Sequence, residues 1–205
     1  MKYLVILLEE PSARDLLEGL LPRLLPAEIH VQYLVFEGKQ DLERQLVRKM
    51  RGWLVPDSAF LVLRDQDAGD CRLVKQRMTS LVEESGRVPA LVRVACHDLE
   101  AWIVGDWKAV ADAFDKPALA GQSVKKEYRD PDLLVRPVEA LRIHLPEYQK
   151  RDGARRVGRH LAVERNQSAS FRAFCSGVKK LVASHPGHGG APGQPRGVSP
   201  GEPVG

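Results

Sequence analysis

Residues 60–70 read FLVLRDQDAGD, four apolar residues that pass through Arg64 into Asp65 and Asp67, with Asp70 close behind. An apolar run without alternation suits a strand covered on both faces, as in a parallel sheet between helical layers. In such a sheet the loops that follow the strands converge at one edge, and ligands collect there. The reading of the whole chain therefore turns on what else reaches the edge at which this run ends.

Strand and helix patterns alternate on either side of it. YLVILLE, residues 3–9, is a first buried strand, followed by a helix with a capping-box-like Ser12-x-x-Asp15 start and Leu16, Leu17, Leu20 and Leu21 on its apolar side. Pro22 and Pro26 end it. Residues 29–36 form a second strand stopped by Gly38, and residues 40–54 a helix through Leu42, Leu46, Met50 and Trp53. After the third strand, AFLVL, a helix over 71–84 is closed by Gly86 and followed by the strand ALVRVAC, residues 90–96. One helix is expected over 98–114, irregular chain over 116–136, and helices near 137–145, 153–163 and 169–183. The fold class is α/β: a mostly parallel, four-stranded, Rossmann-like sheet flanked by helices, with a helical C-terminal extension. Residues 1–184 read as one domain whose segment 137–184 is basic and helical. Residues 185–205, nearly all Gly, Pro and small polar groups, are too poor in apolar surface to offset ordering entropy and are expected to be disordered.

A chain of 205 residues buries enough surface to fold without disulfides. Its three cysteines, Cys71, Cys96 and Cys175, show no C-x-x-C spacing, which argues against a bridged secreted scaffold and a zinc ribbon and favours the cytoplasm. The apolar run at the N-terminus is too short for a signal segment or a membrane span, so no membrane partner is expected. No Gly-rich loop follows a strand, which removes Walker-type and dinucleotide-binding readings. Residues 142–180 hold ten Lys or Arg against three acids, whereas the first 141 residues hold 20 basic and 23 acidic residues. An acidic half followed by a basic one can bring phosphates to a metal site, or it can be a solvated helical surface.

The acids gather at one predicted edge. Strand one ends at Glu9 and Glu10, strand three at Asp65 and Asp67, and strand four runs into Asp98 and Glu100. Two positions apart in an extended chain share a face, so Asp65 and Asp67 are expected to converge while Gln66 points away. Hard carboxylate oxygens suit Mg2+ or Mn2+. Each acid also has a structural alternative: turn chemistry for Asp-x-Asp-x-Gly, and N-cap or first-turn duty for Asp98 and Glu100. Ser168 is in the same position, as a neutral phosphate contact or the cap of the last helix.

LLEEPSA, FLVLRDQDAGDC, RVACHDLEAWIVGD and YQKRDGARRVGRHLAVERNQSASFRAF together resemble the DUF4276 family, bacterial proteins treated as relatives of the Toprim fold. That resemblance implies a Toprim-like sheet and a Mg2+-dependent nuclease or related phosphoryl-transfer enzyme acting on DNA or RNA, in a phage-defence setting with an ATPase partner. It implies catalytic roles for Glu9, Asp65 and Asp67, and metal ligands drawn from Glu9, Glu10, Asp65, Asp67 and Glu100. Lys150, Arg155, Arg156, Arg165, Ser168 and Ser170 are the expected contacts to the nucleic-acid backbone. The competing class is a non-catalytic module binding nucleic acid or protein, in which the acids serve turns and caps.

Overall fold

The computed structural model describes residues 1–184, so the expected disorder of 185–205 lies outside the described residues. Strands β1 (Tyr3–Leu8), β2 (His30–Val35), β3 (Ser58–Asp65) and β4 (Ala90–Ala95) form one sheet in the order β2-β1-β3-β4, every pair parallel. β1 and β3 are central and buried after their first residues, which is why their sequences are apolar without alternation. β2 is an edge, and its residues alternate between exposed and half-buried in His30–Tyr33.

Helices α1 (Pro11–Leu20), α2 (Lys39–Arg51) and α3 (Cys71–Ser85) connect the strands. Leu42, Leu46 and Met50 of α2 and Met78, Leu81 and Val82 of α3 cover the face that carries Val5, Leu7, Phe60 and Val62. The opposite face, with Leu4, Ile6, Leu8, Leu61 and Leu63, meets α1 and the helical C-terminal part: α4 (Glu100–Val104), α5 (Trp107–Ala113), α6 (Pro137–His144), α7 (Lys150–Gly158) and α8 (Ala169–Ala183). Trp102 and Trp107 are buried in this larger core, whereas Trp53 is half-buried and donates its indole N–H to Ser58 at 2.8 Å.

Three local expectations are corrected. The single helix over 98–114 is two helices, broken at Gly105 and Asp106. Asp106 caps α5 through Ala109 N–H (3.0 Å) and also accepts Ala162 N–H (2.9 Å) and Arg165 Nε–H (2.7 Å), tying this joint to the loop before α8. The helix expected over 153–163 begins and ends earlier, as α7. The N-cap position of α1 is Glu10, with Pro11 in the first turn; Ser12 donates its hydroxyl to the Glu10 carboxylate instead of capping.

Helices α1 and α7 lie side by side in close contact, and two glycines permit it. A Cβ on Gly19 would sit 2.6 Å from Arg159 N, and one on Gly158 would fall on the Leu16 carbonyl oxygen. Beside this seam Asp15 accepts hydrogen bonds from Arg151 Nε (2.7 Å) and Arg155 Nη2 (3.2 Å). These contacts fix where the first residue of α7 meets the sheet. Gly158→Ala is therefore expected to lose about 1–3 kcal/mol in urea unfolding through overpacking. Gly121→Ala, where an added Cβ meets nothing within 4 Å, should stay within about 0.5 kcal/mol of the parent.

Candidate metal centre

The strand order reverses between β1 and β3, because the chain steps outward to β2 on one side and to β4 on the other. Loops part at such a point and leave a crevice at the carboxyl ends of the two strands. Leu8 pairs with Leu63, so carrying the frame two residues further sets Glu10 opposite Asp65. Glu10 is still extended there (φ −144°, ψ 160°). Alternation then sorts the side chains: Glu10 and Asp65 share the face of Leu8 and Leu63, and Glu9 and Arg64 share the face of Leu7 and Val62. The ion pairs agree. Arg64 Nε lies 3.8 Å from Glu9 Oε2, and Arg64 Nη1 lies 2.6 Å from Glu43 Oε1 on α2.

Asp65 and Asp67 do not follow the shared-face expectation, because extended backbone ends at Asp65. Gln66 N–H still bonds the Ala95 carbonyl (2.9 Å) and Asp67 N–H the His97 carbonyl (2.8 Å), but Asp67 has φ +55°. Asp and Asn tolerate that left-handed conformation better than most residues. Its carboxylate turns to Lys39 Nζ at 3.0 Å. Asp70 caps α3 through Arg72 N–H (2.8 Å) and Leu73 N–H (3.0 Å). Of the three acids in residues 60–70, one caps a helix, one pairs at the rim and one, Asp65, is buried.

Two further elements complete the cluster around Asp65. Glu100 opens α4 with its side chain 0% exposed, and neither carboxylate oxygen has a hydrogen-bond partner. Asp98 lends that helix only its carbonyl, to Ala101 N–H (3.0 Å), not a side-chain cap. Lys150, the first residue of α7, reaches in with Nζ 3.2 Å from Glu10 Oε1 and 3.5 Å from Glu100 Oε2. The Tyr148 hydroxyl, buried and without a hydrogen-bond partner, feels the Glu100 charge as well.

Burial and mutual repulsion hold these acids toward their neutral forms. Asp65 is raised well above its ordinary value by burial, then by Glu10, Glu100 and Glu9, with Lys150 opposing. Burial pushes Glu100 up to about 7 against the pull of Lys150. Glu9 rises through burial and Asp67, and Asp98 through burial, with Lys150 opposing and Asp67 and Glu10 adding to it. Burial would lower Lys150, but Glu100 and Glu10 outweigh it and the ammonium is held above its usual range.

The basic residues expected to grip a nucleic-acid backbone make ion pairs within the chain while their side chains stay partly exposed. Arg155 pairs with Asp15, and Arg156 with Asp152 at 2.8 Å while lying over the Phe114 ring. Arg165 binds Asp106 and donates to the His160 carbonyl at 2.6 Å. Ser168 does cap α8, accepting Phe171 N–H at 3.0 Å, and donates to Asp132 at 2.6 Å. Ser170 donates to Asp132 (3.0 Å) and accepts the Trp102 indole N–H (2.8 Å). Ser168 is buried and Ser170 half-buried in this network, while Arg165 stays exposed and braces the loop before α8. Asp132, which gathers both serines, lies in a stretch that offered no periodicity. Lys150 was expected at the nucleic-acid backbone; its place among the acids was not legible.

The donors present suit a hard divalent cation: carboxylates on one face of the switch point, with both Glu100 oxygens buried and orphaned. Among the described residues, however, no three His, Cys, Asp or Glu side chains are already spaced to hold a metal ion. The Lys150 ammonium lies between Glu10 and Glu100.

Fold and site together define an α/β protein with a cluster of acidic side chains at the switch point of a parallel sheet. A family model described as a domain of unknown function, DUF4276, matches residues 8–179, and the chain belongs to that family. No curated protein and no solved structure matches it. No helix among the described residues is long and apolar enough to cross a membrane.

Because the Glu100 carboxyl binds its proton more tightly in the fold than in the unfolded chain, its contribution to stability is full below about pH 4.5. It is lost as pH rises through about 7. A shift of this size is on the order of 3 kcal/mol. Metal-free protein is expected to lose stability in urea unfolding between pH 5 and 8, and Glu100→Gln to flatten that slope. An unchanged slope in the variant would contradict the placement of Glu100.

Proposed function

We propose that this chain is a divalent-metal-dependent phosphodiesterase acting on nucleic acid, with Mg2+ or Mn2+ held by Glu10, Asp65 and Glu100. The observation that carries the reading is the Glu10–Asp65–Glu100 group, in which two buried carboxylates and a third beside them repel one another and call for more positive charge than one lysine supplies. Glu9 and Asp67 take supporting places: Glu9 balances Arg64 on the other face, and Asp67 orders the rim through Lys39. The Toprim resemblance favours metal chemistry at this edge and shares Asp65 with the present assignment, but it implies Glu9 and Asp67 where the burial and contacts favour Glu10 and Glu100.

When bound, a divalent ion of this kind lowers the pKa of water and offsets charge on a phosphoryl oxygen. The chain's own residues do the rest. Glu10 and Asp65, set opposite each other by the β1–β3 register, and Glu100 at the head of α4 fix the ligand directions. Asp98, raised above the usual carboxylate range and half-buried at the rim, accepts the proton of the attacking water. Lys39, half-exposed at the rim beside Asp67, adds positive charge that can meet a phosphate backbone, a contribution that weakens with salt. The partner ATPase that the family resemblance implies would carry any ATP hydrolysis, since no Gly-rich phosphate loop follows a strand in this chain.

A non-catalytic binding module is the second reading, favoured by the internal engagement of Arg165, Ser168 and Ser170. Incubation with supercoiled DNA and with RNA, in Mg2+, Mn2+ or EDTA, separates the two. Cleavage is expected with metal, lost with EDTA, and lost in Asp65→Asn and Glu100→Gln. Cleavage that persists through chelation and both substitutions would overturn the metal assignment.

A further inference from the structure

The carboxylate cluster already has a cation, and it belongs to the chain. Lys150 Nζ stands 3.2 Å from Glu10 and 3.5 Å from Glu100, and both Asp65 and Asp98 feel its charge. An ammonium in this position and a divalent ion on the same carboxylates would stand within a few ångströms of each other, and like charges at that separation repel.

We propose that Lys150 is a resident counter-ion that excludes divalent metal from Glu10, Asp65 and Glu100, so that metal entry and withdrawal of the Lys150 ammonium are one event. This rests on the metal ligands assigned above and adds how that site is regulated.

The local structure lets Lys150 move while its helix stays. It is the first residue of α7, preceded by extended backbone at Gln149 (φ −117°, ψ 132°), and its side chain is 37% exposed on a flexible four-carbon stem. The hold on α7 lies further along: Asp15 binds Arg151 and Arg155, and Gly158 packs on Leu16. Outside the cluster, the anion suited to an ammonium is a phosphate oxygen of the substrate. By linkage, a phosphodiester that takes Lys150 raises metal affinity, and metal raises affinity for the phosphodiester by the same factor. The chain alone then holds metal poorly and assembles its centre on the substrate.

Titration with Mn2+ at pH 7.5, followed by calorimetry and by the electron paramagnetic resonance of free Mn2+, tests this without reference to cleavage. Lys150→Met is expected to bind Mn2+ at least about tenfold more tightly than the parent, equivalent to ~1.4 kcal/mol. Adding Glu100→Gln should remove the gain. Affinity in Lys150→Met equal to or below the parent's would overturn the exclusion while leaving the metal reading intact. No Mn2+ binding by either protein would overturn both. A measurement on the unaltered chain guards against a misfolded variant: acylation by an N-hydroxysuccinimide ester, read by peptide mass spectrometry. Lys150 labelling should rise severalfold at saturating Mn2+ relative to Lys108, which pairs with Asp112 on the surface. Labelling of Lys150 that does not change when Mn2+ is bound would also contradict the proposal.

Discussion

The register between β1 and β3 is the constraint on which the site depends. With Leu8 opposite Leu63, Glu10 falls level with Asp65 on one face and Glu9 level with Arg64 on the other. The two faces then resolve their charge differently. Glu9 meets a guanidinium that also binds Glu43, so that side is nearly balanced and tied to α2. Glu10 and Asp65 meet a third carboxylate, Glu100, with a single ammonium beside them, so carboxylates outnumber cations on this side and the buried ones are held toward their neutral forms. A one-residue slip would exchange the two environments, since strand side chains alternate.

The helical C-terminal part explains how the cluster is closed. The loops after β3 and β4 are joined by Gln66 and His97, whose backbone and side-chain bonds continue the ladder beyond the strands and set Asp98 and Glu100 beside Asp65. Helix α7 then lies along α1 through a glycine seam and two arginine bonds to Asp15, and its first residue ends up among the acids. The basic character of residues 142–180 thus has at least two uses. Arg165 and Arg155 brace the structure, while Lys150 enters the site.

Sheet order aside, the fold was largely legible, because continuous apolar strands and helical leucine spacing are read from neighbours in the chain. The clustering of acids at one edge was legible for the same reason: each follows a strand. Two features were not. The left-handed turn at Asp67 breaks the extended alternation that would have joined it to Asp65; Asp-x-Asp-x-Gly allowed both a turn and a straight run and did not choose between them. The partners of Ser168, Ser170 and Arg165 lie at Asp132 and Asp106, between 36 and 59 residues away, and depend on packing that local patterns do not carry. Likewise, the choice between Glu9 and Glu10 needed the strand pairing itself.

The most direct measurement of the central claim is anomalous scattering from a crystal soaked in Mn2+. The account predicts a peak with oxygens of Glu10, Asp65 and Glu100 about 2 Å away, and Lys150 Nζ withdrawn from its present place between Glu10 and Glu100. A peak held by Glu9 and Asp67, or Lys150 still between the two glutamates beside bound manganese, would contradict it.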